Sequence, residues 1–524
     1  MSRELVFGAQ YYRPPNPPRA DWPRDLRRMR EIGFDTVKLW ACWSWIDGSR
    51  DRSDFDDLDE LMQIAHSVGL RVVINAILEN APYWLARRHP EARYHDHEDR
   101  PVHLTAAMNT PGGGWPGLCF HNEAARDVAG GFLETLVRRY RSHPALFCWD
   151  VWNEPHLEPA SYFPERIYCY CDASRAAFRS WLQQRYGGIE RLNSSWARRF
   201  SGFDEVEPPR LFEAVPDMLD WRRFWFETIQ SWLSWRVERV RSVDEAHDVM
   251  THVALSGHLG QLATHTLDEF GLAESVDLFG TSSFPTWLMA NDPVEHLFNL
   301  ETARDAADGK PFWQAELQGG RGRRAGAAST PHPTPAQIRS WIWNAIASGA
   351  RGVVFWQWRP ELLGPESPGY GLCTPSGELT ERATAAGALA RELRASELLA
   401  DTTPAQAPIA VLLSRDTALL TYATDRTLDV YAAAVAGAHR LLTDAGVPLR
   451  FLHAETIARA GVPDGVKAIW WPMPLVASAA LSAALDEFVR AGGNLIAEAS
   501  PGQHDEHGWC VPGAGYLREL FGAE

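Results

Sequence analysis

The segment Phe147-Cys148-Trp149-Asp150-Val151-Trp152-Asn153-Glu154-Pro155 decides the predicted fold. It is an apolar, aromatic-rich run of strand length that is closed by a proline, and this pattern is typical of a buried strand. The strand Phe147–Glu154 presents an amide and a carboxylate, Asn153 and Glu154, at its carboxyl-terminal end. The rest of the chain shows which kind of sheet this strand belongs to.

Seven further runs of the same kind flank this segment, and amphipathic stretches of helical length lie between them. The strand candidates are Leu5–Tyr12, Phe34–Trp40, Arg71–Ile77, Asp248–Ala254, Leu278–Phe284, Pro311–Glu316 and Gly352–Trp358. The helical patterns include Asp21–Gly33, Asp56–Gly69, Glu123–His143, Leu219–Val243 and Thr334–Gly349. Eight strand–helix alternations predict an α/β fold, a (β/α)8 TIM barrel. A doubly wound open sheet is the alternative that periodicity leaves open.

Two features extend this pattern. About ninety residues separate the fourth and fifth strand candidates, which predicts an insertion at about 156–218. Composition shifts near residue 385, and a second α/β region follows with strand candidates Ile409–Leu413, Leu449–Leu452, Ala468–Pro472 and Asn494–Ala497. We therefore predict a barrel domain over 1–385 and a smaller domain over 400–524. The smaller domain is expected to be flavodoxin-like, or similar to a glutamine amidotransferase, and it carries no acid/base constellation.

Composition excludes several partners. Among 524 residues, 51 Lys and Arg oppose 67 Asp and Glu, a net charge of −16 that argues against nucleic acid and anionic membranes. Seven irregularly spaced cysteines do not form a disulfide framework. We see neither a signal peptide nor an apolar run of transmembrane length, so a cytoplasmic protein is expected. The 23 Trp residues suit sugar rings, although a large aromatic core would account for most of them.

A second carboxylate, Glu316, ends the seventh strand candidate. Barrel enzymes place their active sites at the carboxyl ends of the strands, so Glu154 and Glu316 are expected on one rim. Retaining glycoside hydrolysis needs such a pair, about 5–5.5 Å apart, one as acid and one as nucleophile. Each residue alone could equally be a solvated strand-end glutamate. Both together, with Asn153 before the first, favour catalysis over a non-catalytic carbohydrate-binding or oligomeric scaffold.

The pattern of Asn-Glu after strand four and Glu after strand seven resembles clan A glycoside hydrolases, and its details resemble family 42, the β-galactosidase family. The segments that carry the resemblance are Phe7-Gly8-Ala9-Gln10-Tyr11-Tyr12, Cys169 to Phe178, Phe203 to Pro209, and Gly349 to Arg359. The resemblance implies an exo-acting retaining β-galactosidase with Glu154 as general acid/base and Glu316 as nucleophile. It implies that Asn153 binds the sugar 2-hydroxyl, and that the second domain assembles a homotrimer.

Further substrate contacts are predicted from the same resemblance and from tryptophans at strand ends. They are Lys38, Trp40, Phe284, Trp358 and Glu366. A wider set of strand-end tryptophans could form a sugar-sized aromatic box, namely Trp40, Trp43, Trp84, Trp152, Trp287, Trp356 and Trp358.

Three positions depart from the family pattern. Lys38 stands for its basic residue after the second strand, and Gly369 stands where a histidine is expected. Phe284 replaces a tyrosine that supports the nucleophile, so Glu316 must be oriented by another group. These changes keep open a different sugar with the same mechanism: β-glucoside, β-mannoside, α-L-arabinopyranoside or galactofuranoside.

The family often holds a structural zinc ion near the active site. Cys119, Cys169 and Cys171 match three of its ligand positions, but the fourth position is Ser174, and a neutral serine is a poor zinc ligand. We therefore expect no required cofactor and favour a metal-free remnant over a bound zinc. His252, which lacks a carboxylate at metal-site spacing, is expected to be a core or loop histidine.

Overall fold

The structure, a computed structural model, describes most of the chain. The described residues are 5–107, 110–161, 165–212, 215–322, 330–364, 366–396, 406–511 and 515–522, together with 399, 402 and 404. The predicted start of the second domain at 400 lies outside them.

Eight parallel strands close into a barrel, and each one pairs with the strands before and after it in the sequence. They are β1 (Val6–Tyr12), β2 (Thr36–Cys42), β3 (Arg71–Ile77), β4 (Leu146–Asn153), β5 (Asp248–Val253), β6 (Leu278–Ser283), β7 (Phe312–Gln318) and β8 (Gly352–Trp356). This confirms the predicted TIM barrel and excludes the open sheet. The strands read as nearly continuous apolar runs because both of their faces are buried.

Helices cover the outside of the barrel. They are α1 (Trp22–Glu31), α2 (Asp56–Val68), α3 (Glu123–Tyr140), α4 (Asp172–Tyr186), α5 (Ile189–Trp196), α6 (Val215–Arg241), α7 (Pro293–Ala306), α8 (Pro335–Ala347) and α9 (Glu381–Arg394). Short helices Trp43–Ile46, Tyr83–Arg88, Leu262–His265, Glu269–Ala273 and Pro285–Leu288 occupy the loops. Helices α4 and α5 lie in the long connection between β4 and β5. A hairpin, Thr105–Ala107 with Thr110–Trp115, follows β3.

Side chains inside the barrel form layers, because alternate residues of a strand point inward. One apolar layer contains Val6, Val73, Cys148, Met250, Leu278, Trp313, Ala315 and Val354. Two residues further along three of these strands, Asn75, Asp150 and His252 are fully buried polar side chains. Apolar side chains therefore fill the lower part of the barrel interior, and a layer of polar side chains lies between them and the carboxyl-terminal rim.

A glycine makes room for this polar layer. A Cβ atom on Gly280 would lie 2.7 Å from the Cβ of Ala315 and 2.9 Å from the Cβ of His252. Real Cβ atoms do not pack that closely, so only glycine lets β6 pass this near to His252. A side chain at this position would displace His252.

A second parallel sheet follows the barrel. Its strands are β9 (Ile409–Leu413), β10 (Leu449–His453), β11 (Ala468–Trp471) and β12 (Asn494–Ala497), in the order β10-β9-β11-β12. Helices α10 (Arg415–Asp425), α11 (Asp429–Asp444), α12 (Ala454–Ala460) and α13 (Ala479–Arg490) connect them, and a short helix Arg518–Phe521 follows. The order is that of a flavodoxin-like sheet, as predicted.

Polar contacts join the sheet to the barrel. Arg223 of α6 pairs with Asp416 at 2.9 Å, and His258, after β5, contacts the Tyr431 hydroxyl at 2.8 Å. No helix of the described residues is both long enough and apolar enough to cross a bilayer.

Candidate active site

A pocket of about 170 Å³ opens at the carboxyl-terminal rim of the barrel. Most of its wall comes from residues at strand ends and from the loops that follow them. Its lining includes Arg13, Trp40, Asn153, Glu154, His156, Phe284, Trp287, Glu316, Trp356 and Glu366. The two predicted catalytic carboxylates thus share one pocket with four of the six predicted substrate contacts.

Glu154 directly follows β4, and its backbone has φ of +52°, in the left-handed region that non-glycine residues rarely adopt. Its Oε1 accepts a hydrogen bond from the Ser282 hydroxyl at 2.8 Å. Burial raises the pKa of Glu154 to about 7, and the negative charge of Glu316 adds to this shift. Glu154 is therefore a carboxyl group that retains its proton near neutral pH.

Glu316 lies on β7 with a carboxylate oxygen within 4.8 Å of one from Glu154. Its Oε1 accepts a hydrogen bond from Gln10 Nε2 at 2.6 Å and lies 3.3 Å from His252 Nε2. Lys38 Nζ is 4.0 Å from the same oxygen. Burial alone would raise the pKa of Glu316, but the His252 hydrogen bond and the nearby positive charges hold it below its usual value. Two neighbouring carboxyl groups thus have pKa values pushed in opposite directions.

Lys38 does not line the pocket, which corrects its predicted role as a substrate contact. Its side chain is 2% exposed and its Nζ lies 2.8 Å from Asp150 Oδ2. His252 Nδ1 lies 3.1 Å from the same Asp150 oxygen. Lys38 therefore acts on the site through Asp150 and Glu316, from behind the pocket.

Aromatic rings form one wall of the pocket. The Trp40 and Trp356 rings lie 5.7 Å apart, and Phe284 meets the edge of Trp287 with a centroid distance of 5.4 Å. Trp40 Nε1 donates a hydrogen bond to Gln10 Oε1 at 2.5 Å, which fixes the amide that in turn donates to Glu316. Trp40 and Phe284 lie in the pocket as predicted.

Arg13, which the sequence analysis did not single out, lies against the indole rings of Trp40 and Trp356 at 5.2 Å and 4.5 Å from their centroids. Its guanidinium pairs with Glu361 at 3.0 Å and with Glu366 at 2.7 Å. Burial raises the pKa of Glu366 to about 7 in spite of this pairing. Glu366 therefore lines the pocket as a carboxyl group with a raised pKa that is held in place by the guanidinium of Arg13.

Of the two remaining predicted substrate contacts, Asn153 lies in the pocket and Trp358 does not. Asn153 lines the pocket, and its Oδ1 accepts a hydrogen bond from Asn75 at 3.2 Å. Trp358 is a correction: its side chain is completely buried in the main core, next to Phe34, and lies outside the pocket. Strand β8 ends at Trp356, two residues before the predicted end, so the alternation that points Trp356 into the pocket does not extend to Trp358. Of the wider tryptophan set, only Trp40, Trp287 and Trp356 line the pocket.

His252 is buried, as expected for a core histidine, but it also contacts the nucleophile candidate. The sequence analysis considered it only as a metal ligand. The signal that would have found it is the alternation along the strands: Asp150 lies two residues after inward-facing Cys148, and His252 two residues after inward-facing Met250.

The three predicted zinc ligands do come together. The Sγ atoms of Cys119, Cys169 and Cys171 lie within 4.8 Å of one another and are buried, and we call these residues the three-cysteine cluster. Ser174 Oγ is 3.2 Å from both Cys119 Sγ and Cys171 Sγ. His121 Nδ1 is 3.0 Å from that hydroxyl and 3.9 Å from Cys119 Sγ. Three thiols suit a tetrahedral zinc ion. The fourth ligand position is occupied by the hydroxyl of Ser174, a weak zinc ligand, and the imidazole of His121 lies next to that hydroxyl. A bound ion would link the segments before α3 and α4.

An eight-stranded (β/α)8 barrel with a carboxyl pair on its rim is typical of the glycoside hydrolases that are built on TIM barrels. A family model described as β-galactosidase, glycoside hydrolase family 42, matches residues 11–396. The chain belongs to this family.

Named relatives agree with this assignment. The β-galactosidase BgaA of a Thermus species is 31% identical over 444 residues, covering 79% of this chain and 63% of its own length. The β-galactosidase Bga of Halorubrum lacusprofundi is 26% identical over 546 aligned residues, covering 99% of this chain and 73% of its own length. This chain thus spans a little under two thirds of the Thermus protein.

Solved structures show the same fold. A β-galactosidase from Halorubrum lacusprofundi superimposes with a TM-score of 0.86 at 24% identity, covering 98% of this chain and 76% of that one. One from Bacillus circulans sp. alkalophilus gives a TM-score of 0.85 at 21% identity, covering 99% and 75%. The likeness extends through both the barrel and the second sheet, since it covers almost the whole chain.

Proposed function

We propose that the protein is a retaining exo-β-glycosidase that removes the terminal non-reducing sugar of β-galactosides. The observation that carries the proposal is the Glu154–Glu316 pair, with carboxylate oxygens within 4.8 Å and pKa values shifted in opposite directions. That spacing suits the closely placed carboxyl pair of a retaining enzyme, in which one carboxylate attacks the sugar directly, better than the wider pair of an inverting enzyme. The named relatives, all β-galactosidases, support the choice of sugar.

In the first step, Glu316 attacks the anomeric carbon while the bond to the aglycone oxygen breaks. Gln10, His252 and Lys38 all approach Oε1 of Glu316, so Oε2 is the oxygen we assign to the attack. Glu154 delivers its proton to the departing oxygen, and Ser282 fixes the other oxygen of that carboxyl group. The products are the free aglycone and a glycosyl ester on Glu316.

In the second step, Glu154 has become a carboxylate and takes a proton from water. The water oxygen attacks the anomeric carbon, the ester bond to Glu316 breaks, and the sugar leaves with its original configuration. Glu154 is protonated again and Glu316 is again a carboxylate. Asn153, on the rim beside Glu154, is placed to bind the sugar 2-hydroxyl, a contact that strengthens in the transition state.

A pocket of about 170 Å³ has room for one sugar ring, which supports removal of single terminal residues. The sugar itself is the open choice. Phe284 places an apolar ring in the pocket where the family pattern has a hydroxyl-bearing tyrosine, and Gly369 stands where that pattern has a histidine. These two features favour, as the second candidate, another sugar with the same mechanism: β-glucoside, β-mannoside, α-L-arabinopyranoside or galactofuranoside.

A panel of nitrophenyl glycosides tests the proposal. We expect release of nitrophenol from the β-galactopyranoside with the highest kcat/KM of the panel. A higher kcat/KM on one of the other four glycosides would replace galactose by that sugar. Absence of turnover on the whole panel would contradict the glycosidase function and favour a carbohydrate-binding scaffold.

The Glu316→Ala variant tests the mechanism. We expect it to lose turnover, and added azide to restore part of it with a glycosyl azide product of inverted configuration. Unimpaired hydrolysis by Glu316→Ala would contradict the assignment of the nucleophile.

We further propose a catalytic domain over 1–385 and a trimerisation domain over 400–524, acting as a cytoplasmic homotrimer. All seven cysteines are free thiols, which suits a reducing compartment. Exposed apolar side chains Leu288, Leu362 and Leu363, in the loops after β6 and β8, offer a surface for a neighbouring subunit. Sedimentation equilibrium is expected to give three times the chain mass, and a monomer would contradict the assembly.

A further inference from the structure

His252 lies between two carboxylates. Its Nδ1 is 3.1 Å from Asp150 Oδ2, and its Nε2 is 3.3 Å from Glu316 Oε1. A neutral imidazole carries one proton and can donate to only one of these oxygens. Because both ring nitrogens lie within ion-pair distance of carboxylate oxygens, the two contacts are both favourable only when the ring carries two protons. The geometry therefore indicates an imidazolium cation.

Charge balance leads to the same conclusion. Lys38, Asp150 and His252 are at most 2% exposed, and Glu316 is 6% exposed at its side chain. With a protonated His252, two positive groups balance two carboxylates, whereas a neutral ring would leave one uncompensated buried negative charge. An unpaired buried charge is far more costly than a paired one. Lys38 alone does not satisfy Glu316, since its Nζ lies 2.8 Å from Asp150 but 4.0 Å from Glu316.

The residue that directly follows β6 explains why such a group is needed. Phe284 lines the pocket without a hydroxyl, and its ring packs against Trp287 and Tyr370. Orientation of Glu316 therefore comes from the barrel interior: Gln10 on β1 donates at 2.6 Å, and His252 approaches from β5. Gly280 on β6 leaves the space that the His252 side chain occupies.

We propose that His252, paired with Asp150, is the positioning residue that orients the nucleophile Glu316 and balances its charge. The proposal rests on the glycosidase function proposed above. His252 is fully buried and is not among the residues that line the pocket, so it acts through Oε1 of Glu316.

The two chemical steps depend on this contact differently. When Glu316 attacks, its negative charge disappears into the ester. When water breaks the ester, Glu316 is the leaving group and the charge returns next to the imidazolium. The second step therefore gains most from His252, because a positive charge stabilises a carboxylate as it forms. Loss of His252 should make the glycosyl-enzyme accumulate.

The variant His252→Asn keeps a hydrogen-bond donor but cannot carry the charge. On an aryl glycoside with a good leaving group, we expect kcat to fall on the order of 100-fold, because the preorganised positive charge beside the departing carboxylate is lost. We expect KM to fall with it, so that kcat/KM changes less than kcat. A general packing defect would instead lower kcat/KM without lowering KM.

The pH profile is the second readout. The acidic limb of kcat/KM reports ionisation of Glu316, which faces Lys38, His252, Glu154 and Glu366. Removing a positive neighbour disfavours the carboxylate, so the limb should move to higher pH in His252→Asn.

Asp150→Asn should lower the pKa of the His252 ring, because the ring then loses the carboxylate that holds its second proton. One negative and one positive charge are lost together beside Glu316, so in this variant the limb should stay near its wild-type position. His258→Asn is the matched control: this buried histidine contacts Tyr431 of the second sheet, and we expect it to leave the limb in place.

A measurement without turnover separates the two proposals. Histidine-selective NMR, with the His252 signal identified by its loss in His252→Asn, should show an imidazolium ring in the wild-type protein at pH 7. A neutral ring at that pH overturns the inference, whatever the enzyme hydrolyses. If the wild type turns over glycosides but the acidic limb stays in place in His252→Asn, the inference fails and the glycosidase function stands. If the wild type hydrolyses nothing while the ring is doubly protonated, the proposed function fails and the charge arrangement stands.

Discussion

The protonation of Glu154 predicts how activity depends on pH and on the leaving group. With a pKa of about 7, Glu154 would carry its proton in about 90% of molecules at pH 6 and about 10% at pH 8. Because the acid must be protonated to donate, kcat/KM for an alkyl β-galactoside should fall about tenfold between these pH values. A glutamate with an ordinary pKa would already be ionised at pH 6, and the decline would lie near pH 4–5.

The assay compares a poor leaving group, such as a methyl galactoside, with 2,4-dinitrophenolate, which needs no proton to depart. Glu154→Gln should lower kcat/KM on the poor leaving group by about 10²–10⁴-fold and have little effect on the good one. Glu366 titrates in the same range, but its protonation would affect both substrates alike, so the comparison separates the two groups. An equal loss on both substrates, or a basic limb seen only with the poor leaving group that survives in Glu154→Gln, would refute the assignment of Glu154 as the acid.

Three further predictions follow from the geometry. Arg13→Ala leaves two buried carboxylates unpaired and should lower the free energy of unfolding by about 3–5 kcal/mol in urea; a change under about 1 kcal/mol would contradict the buried pairing. Trp40→Phe removes the indole donor that holds Gln10 and should lower kcat/KM about fivefold, the effect of one hydrogen bond. Trp358→Phe should change kcat/KM by no more than about twofold. A larger loss in Trp358→Phe than in Trp40→Phe would show that Trp358 belongs to the active site. Metal analysis after dialysis against a chelator should find substoichiometric zinc in the wild type and one zinc per chain in Ser174→Cys; full retention by the wild type would show that the three-cysteine cluster has a fourth ligand already.

Much of the fold could be predicted because parallel strands buried on both faces leave long apolar runs in the sequence. The eight barrel strands and the four strands of the second sheet all occur near their predicted positions. The catalytic pair was also accessible, because a carboxylate at the end of a barrel strand must stand on the rim. Strand ends were less certain: β8 ends at Trp356, and this difference moved Trp358 from the pocket to the core.

The supporting residues were harder to foresee. Arg13 follows β1, and its partners Glu361 and Glu366 lie about 350 residues away in the loop after β8, so no local pattern connects them. Lys38 has the residue type and the strand expected of a basic substrate contact, but its Nζ lies beneath the pocket and pairs with Asp150. His252 was judged by metal-site spacing, whereas its partners come from β4 and β7 and meet only when the barrel closes.

The central claim is that Glu316 forms a covalent bond to the sugar. Incubation with 2,4-dinitrophenyl 2-deoxy-2-fluoro-β-galactoside, followed by proteolysis and mass spectrometry, tests it directly. We predict one fluorosugar per chain, attached to the peptide that contains Glu316, with loss of activity in step with labelling. Labelling of Glu154 or Glu366 instead, or hydrolysis that proceeds with inversion and without any labelled peptide, would contradict the account.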